Sequence, residues 1–190
     1  MVIGFILLSG EGILVHRRLA GRCRANGKLV HLSVQAAALG FGLIGVWAKF
    51  KGKDGIVSNF YSLHSWIGLS SVLLLASQCL IGFISMWHRT EGWRTRPAVL
   101  PWHVFFGLYA FGLAVTAAET GLQEKLTFLQ ARRGGPARKS REVTLINSIG
   151  IALAILPAFV ILAAISPRHR EGQITKFINS KDAENGKSHV

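Results

Sequence analysis

An all-α transmembrane helical bundle is the fold class that this 190-residue sequence predicts. Three observations predict it. Apolar residues make up 50% of the chain and charged residues only 16%, where a soluble domain carries about 25% charged. The apolar residues gather in five runs, near 2–15, 29–48, 61–87, 100–122 and 143–166, with the charges collected in short blocks between them. The last four runs each reach the ~20 residues that a helix needs to cross a hydrocarbon core.

Taken in order, the first run is the exception. Residues 1–15 rise only about 22 Å as a helix, and Glu11 interrupts them. They carry no basic leader and no small-residue cleavage site, so a signal peptide is a poor fit and a shortened span is the simpler reading. The next four runs read as full spans. Glycines within them (Gly40, Gly42, Gly45, Gly68, Gly82, Gly107 and Gly112) allow close helix approach. Residues 1–166 are expected to form one transmembrane domain, and 167–190, polar with scattered charges, a disordered tail. Cys23 falls in a linker and Cys79 in mid-span, which excludes a disulfide framework or a zinc spacing. The net charge of +13 comes from basic residues flanking apolar runs rather than filling one face, so nucleic acid is not an expected partner.

Alternation fixes the topology up to one choice of side. The linker after the first run holds Arg17, Arg18, Arg22, Arg24 and Lys28 without an acidic residue, which marks it as cytoplasmic. Linker 88–99 and the tail then join it. The opposite side holds fewer basic residues, although linker 123–142 is itself basic.

His31, His64 and His103 each lie near the mouth of a separate span. Histidine is costly in a bilayer, and imidazole is an axial ligand of haem iron. His31 and His103 enter from the cytoplasmic side on the second and fourth spans. Facing each other, they would clamp one iron from both sides and leave no open position, which suits electron transfer. The alternative for each is a structural hydrogen bond to a neighbouring helix. His64 enters from the opposite side, where no other histidine lies: His16 and His88 belong to cytoplasmic linkers, His169 and His189 to the tail. Trp66 and Trp102 are placed either to pack on a porphyrin or to join the aromatic belt of the interface. Arg24, Lys28 and Arg96 lie a turn or two outside His31 and His103. They are placed either to bind a small anionic reductant or to serve as flanking positive charge.

The motifs Lys28-Leu29-Val30-His31, Tyr61-Ser62-Leu63-His64-Ser65-Trp66, Leu100-Pro101-Trp102-His103 and Glu124-Lys125-Leu126-Thr127-Phe128-Leu129-Gln130 resemble those of the cytochrome b561 family, its plant members above all. The resemblance spans roughly residues 1–166. It implies a six-helix fold with two b haems on opposite sides of the membrane, passing electrons from cytoplasmic ascorbate to monodehydroascorbate or a ferric chelate beyond it. It implies that His31 and His103 ligate the cytoplasmic haem and His64 the outer one. It further implies that Arg24, Lys28 and Arg96 belong to the cytoplasmic ascorbate site, and that Phe50 and Tyr61 belong to an outer substrate site. By the same resemblance Met1-Val2-Ile3-Gly4 begins inside the family's second helix, after its His-Pro element. One haem site is then complete and the other half-built, as in an N-terminally truncated chain; a variant unable to complete the relay is the alternative.

The expectation is therefore an ascorbate-dependent transmembrane oxidoreductase with haem b as cofactor and no catalytic side chain of its own. Its partners would be ascorbate, the acceptor and the lipid bilayer, with a homodimer as the candidate assembly. A vacuolar or other endomembrane location is the family association, and the plasma membrane is the alternative. The rival functions are a haem-binding anchor subunit without a substrate site and a small transporter whose histidines line a polar path.

Overall fold

The computed structural model describes residues 3–19, 24–51, 60–87, 92–131 and 141–166, and every regular element among them is helical. Helix α1 opens with a π-helical stretch, Ile3–Leu7, and continues as Leu8–Leu19. Helices α2 (Arg24–Phe50), α3 (Leu63–Trp87), α4 (Gly92–Ala131) and α5 (Arg141–Ile165) follow. Each of the five apolar runs thus becomes one helix. Four are long and apolar enough to span a membrane, and the apolar part of α1, Gly4–Val15, is shorter. The expected tail, 167–190, lies outside the described residues.

The helices overrun the apolar runs. Arg24 and Lys28, assigned to a linker by their charge, lie inside α2, and α4 begins at Gly92, well before its apolar run. At its far end α4 continues through Gln123–Ala131, which the hydropathy assigned to a linker. The reason is chemical. Hydropathy reports where lipid lies, whereas a helix continues as long as its backbone groups pair, and Gln, Glu, Lys and Leu are good helix formers. Pro97 and Pro101 sit inside α4 and Pro157 inside α5. Each removes one backbone donor, which membrane helices tolerate when neighbours and local adjustments satisfy the freed carbonyl.

Each helix packs on the next in sequence, and α5 returns to α1, so that the five close into a ring. The α3–α4 pairing is the most extensive. Inside the ring Phe5 and Ile6 of α1 meet Ala38, Val72, Leu75, Phe111, Ala114, Val115, Ala118, Leu153 and Val160. The alanines of α4 let neighbouring backbones approach, and in lipid it is this contact, rather than transfer from water, that drives association. Leu43, Ile44, Leu73, Leu80, Ile155, Phe159 and Leu162 are exposed on the outside. That surface is at home only in hydrocarbon. Among the described residues the buried polar ones are Ser9, Gln35, Ser71 and Gln78. Ser9 and Ser71 donate to carbonyls of their own helices, at Ile6 and Gly68.

Candidate functional site

The end of the bundle where α2 begins and α3 ends gathers four helices around two imidazoles. His31, a half-buried residue two turns into α2, has its Nδ1 2.6 Å from the carbonyl oxygen of Gly12 on α1. A carbonyl only accepts, so Nδ1 carries the proton and Nε2 keeps the lone pair, the form that a metal-ligating histidine takes. The rings of His31 and His103 lie 6.4 Å apart, centroid to centroid, with their planes 72° apart. A metal–imidazole bond is about 2 Å and the ring centroid lies about 1 Å further back, so a metal held between two rings separates their centroids by about 6 Å. The observed separation fits. His103 itself seats against Gly82 of α3, where an added Cβ would lie 3.0 Å from His103 Cε1. A side chain there would crowd the ring.

Among the described residues no group of three or more His, Cys, Asp or Glu could hold a metal ion by itself. Two imidazoles therefore suit an ion whose remaining ligands come from a cofactor, as a porphyrin supplies for iron.

The opposite end repeats half of this arrangement. His64, in the first turn of α3, has its Nδ1 2.6 Å from the carbonyl oxygen of Ala117 on α4. A Cβ at Gly121, one turn further along α4, would lie 2.9 Å from His64 Cε1 and Nδ1. The other described imidazoles, His31 and His103, are at the far end. The same carbonyl of Ala117 also accepts from Thr120 Oγ1 at 3.0 Å.

Phe50 and Tyr61 fall at the His64 end. Phe50 packs on Phe60 with centroids 5.3 Å apart, and Phe60 packs on Trp66 at 5.4 Å. Tyr61 donates its hydroxyl to Glu124 Oε1 of α4 at 2.7 Å, which ties the approach to α3 onto α4. That hydrogen bond is the largest cause holding the Tyr61 phenol above its ordinary value; desolvation and the nearby carboxylate charge add to it. Trp66 donates Nε1 to the Phe60 carbonyl at 2.9 Å and stays exposed, as does Trp102, which stacks on Phe106. Their exposure is compatible with an interfacial belt. Lys28 lies three residues before His31 on α2 and is half-buried. Arg24 opens α2 and Arg96 lies in the first turns of α4, but their side chains lie outside those described.

Sequence reading missed Gln35, Gln78 and Glu119. Gln35 lies one turn beyond His31 and Gln78 one turn before Gly82. Glu119 lies on α4 facing α5, where a Cβ at Gly150 would be 3.2 Å from its Oε2. The signal available was a polar or ionisable residue inside an apolar run, which is costly enough to require a reason.

The sequence profile of eukaryotic cytochrome b561 matches residues 1–129. The probable transmembrane ascorbate ferrireductase 4 of Arabidopsis thaliana is 55% identical over 170 residues, covering 90% of this chain and 71% of the relative. Transmembrane ascorbate ferrireductase 2 of the same plant is 42% identical, over 92% of this chain and 75% of its own length. A probable ascorbate-specific transmembrane electron transporter 2 of Oryza sativa subsp. japonica is 37% identical, over 90% and 72%.

Proposed function

The chain belongs to the cytochrome b561 family, and on that premise we propose that it carries electrons across a membrane from cytoplasmic ascorbate to monodehydroascorbate or a ferric chelate on the far side. The observation that carries this reading is the 6.4 Å separation of the His31 and His103 rings. These two residues would hold a b haem, which when bound supplies a one-electron couple. The protein's part is placement. The Gly12 carbonyl fixes the His31 tautomer, and the Gly82 notch seats His103. Two protein ligands leave no open position, which favours electron transfer over oxygen chemistry.

Arg24, Lys28 and Arg96, near the same end, are proposed to bind ascorbate as an anion. His64 is proposed as a residue that would hold a second b haem near the outer face, with its partner none of the described side chains. Phe50 and Tyr61 are proposed to contact the acceptor there. The relatives' own names, ascorbate ferrireductase and ascorbate-specific electron transporter, support this class of donor and an oxidoreductase activity.

The test is a spectrum of the full chain, expressed with haem supply and purified in detergent. A low-spin bis-histidine b-type spectrum reduced by ascorbate is expected. Protein without haem would overturn the reading. Haem that ascorbate leaves oxidised would leave only a haem-binding membrane subunit.

A further inference from the structure

Gln35 is buried to 7% exposure on α2, one helical turn beyond His31 and on the same face. Its amide nitrogen donates to the Ser9 carbonyl of α1 at 3.2 Å. The amide fills the space that a side chain at Gly12 would take. A Cβ built there would lie 2.8 Å from Gln35 Nε2, 2.9 Å from Cδ and 3.2 Å from Cγ. Gly12 is the residue whose carbonyl receives His31 Nδ1–H. The Gln35 side chain thus spans the turn of α1 that fixes His31.

We infer that Gln35 is a positioning residue for His31: its amide grips α1 at Ser9 and Gly12 and so holds the Gly12 carbonyl on the imidazole. The inference deepens the haem reading proposed above and rests on it for its functional meaning. Stability alone does not account for this amide. Its Oε1 is buried with no hydrogen-bond partner, and an apolar chain of similar length would avoid that cost. The two roles therefore predict opposite responses. Gln35→Met should leave the fold unchanged or firmer while loosening His31.

Two variants and two readouts test this on the full chain. In the haem-free protein, nitrogen NMR of the His31 ring should show the Nδ1–H tautomer alone in wild type and a tautomer mixture in Gln35→Met. In the haem-loaded protein, Gln35→Met should retain the wild-type haem content with a more positive midpoint potential, because a weaker Nδ1–H···O bond makes the ligand less electron-donating. Gly12→Ala, whose Cβ would push the amide aside, should shift both readouts the same way. Wild-type tautomer and potential in both variants would overturn the inference. So would a lowered melting temperature with an unchanged tautomer, which would make Gln35 a packing residue only. Should the wild-type chain take up no haem, the haem reading fails, and the tautomer measurement still decides the role of Gln35.

Discussion

The two ends of the bundle share one device and differ in one respect. At each end a histidine near the start of a helix holds its Nδ1 2.6 Å from a backbone carbonyl on the neighbouring helix. At each end a glycine leaves room for an imidazole ring, Gly82 for His103 and Gly121 for His64. Among the described side chains only the His31 end adds a second imidazole, at 6.4 Å. Fixing a tautomer takes one helix contact, whereas pairing and seating two rings takes four helices in register. The shared part is local and the distinguishing part is tertiary.

The sharpest way to break this comparison is to remove a ring. His103→Leu should abolish the low-spin bis-histidine signal of the inner site, read as haem per chain, while His64→Leu should leave that signal in place. Equal loss in both would mean that the ends are not independent.

Crowding the notches comes next. Gly82→Val puts a branched side chain where even a Cβ lies 3.0 Å from His103, and overpacking of this kind costs about 1–3 kcal/mol. A lower melting temperature is expected, together with loss of inner-site haem. Gly121→Val should cost a similar amount and leave the inner-site spectrum unchanged. A loss of inner haem from the Gly121 variant would contradict the division.

Charge should matter less than fit. Arg96→Glu is expected to weaken ascorbate reduction about tenfold, equivalent to ~1.4 kcal/mol, with haem content unchanged. Loss of haem as well would show that Arg96 supports the fold of that end rather than the donor.

The smallest effect belongs to Tyr61. Its phenol is held above its ordinary value by the hydrogen bond to Glu124. A raised folded-state value means that the tie from Tyr61 to α4 is fully present below the usual phenol value of about 10 and is lost as pH rises through the folded one. The chain has two tyrosines, so the difference between ultraviolet titrations of wild type and Tyr61→Phe isolates this one. A Tyr61 titrating at the ordinary value would remove the tie.

The spans were legible because long apolar runs leave a backbone only one way to pair its groups in lipid. Helix ends were not, since α4 continues through Glu124 and Lys125 on propensity rather than hydropathy. His31 and His103 stood out as costly residues at corresponding depths on alternate spans. That their rings come within 6.4 Å of each other across the bundle is a tertiary fact, and so is the notch at Gly82, one glycine among many. Gln35 was invisible for a different reason. Its meaning lies in what it touches, a carbonyl and a glycine on another helix, and neither is written next to it in the chain.

Helix α4 runs unbroken for 40 residues, from Gly92 to Ala131. It carries His103 toward one end and the Ala117 carbonyl that receives His64 toward the other. From His103 to Ala117 is fourteen residues, two heptads, which keeps both on one stripe and sets them about 21 Å apart along the axis. On α3, Gly82 and His64 are eighteen residues apart, which is about five turns and again one stripe. The pair of helices is a ruler with integer markings. Side chains along it can be exchanged one at a time, but removing a single residue between the marks would turn one end by about 100° against the other. The distance between the two ends is thus inherited as a residue count.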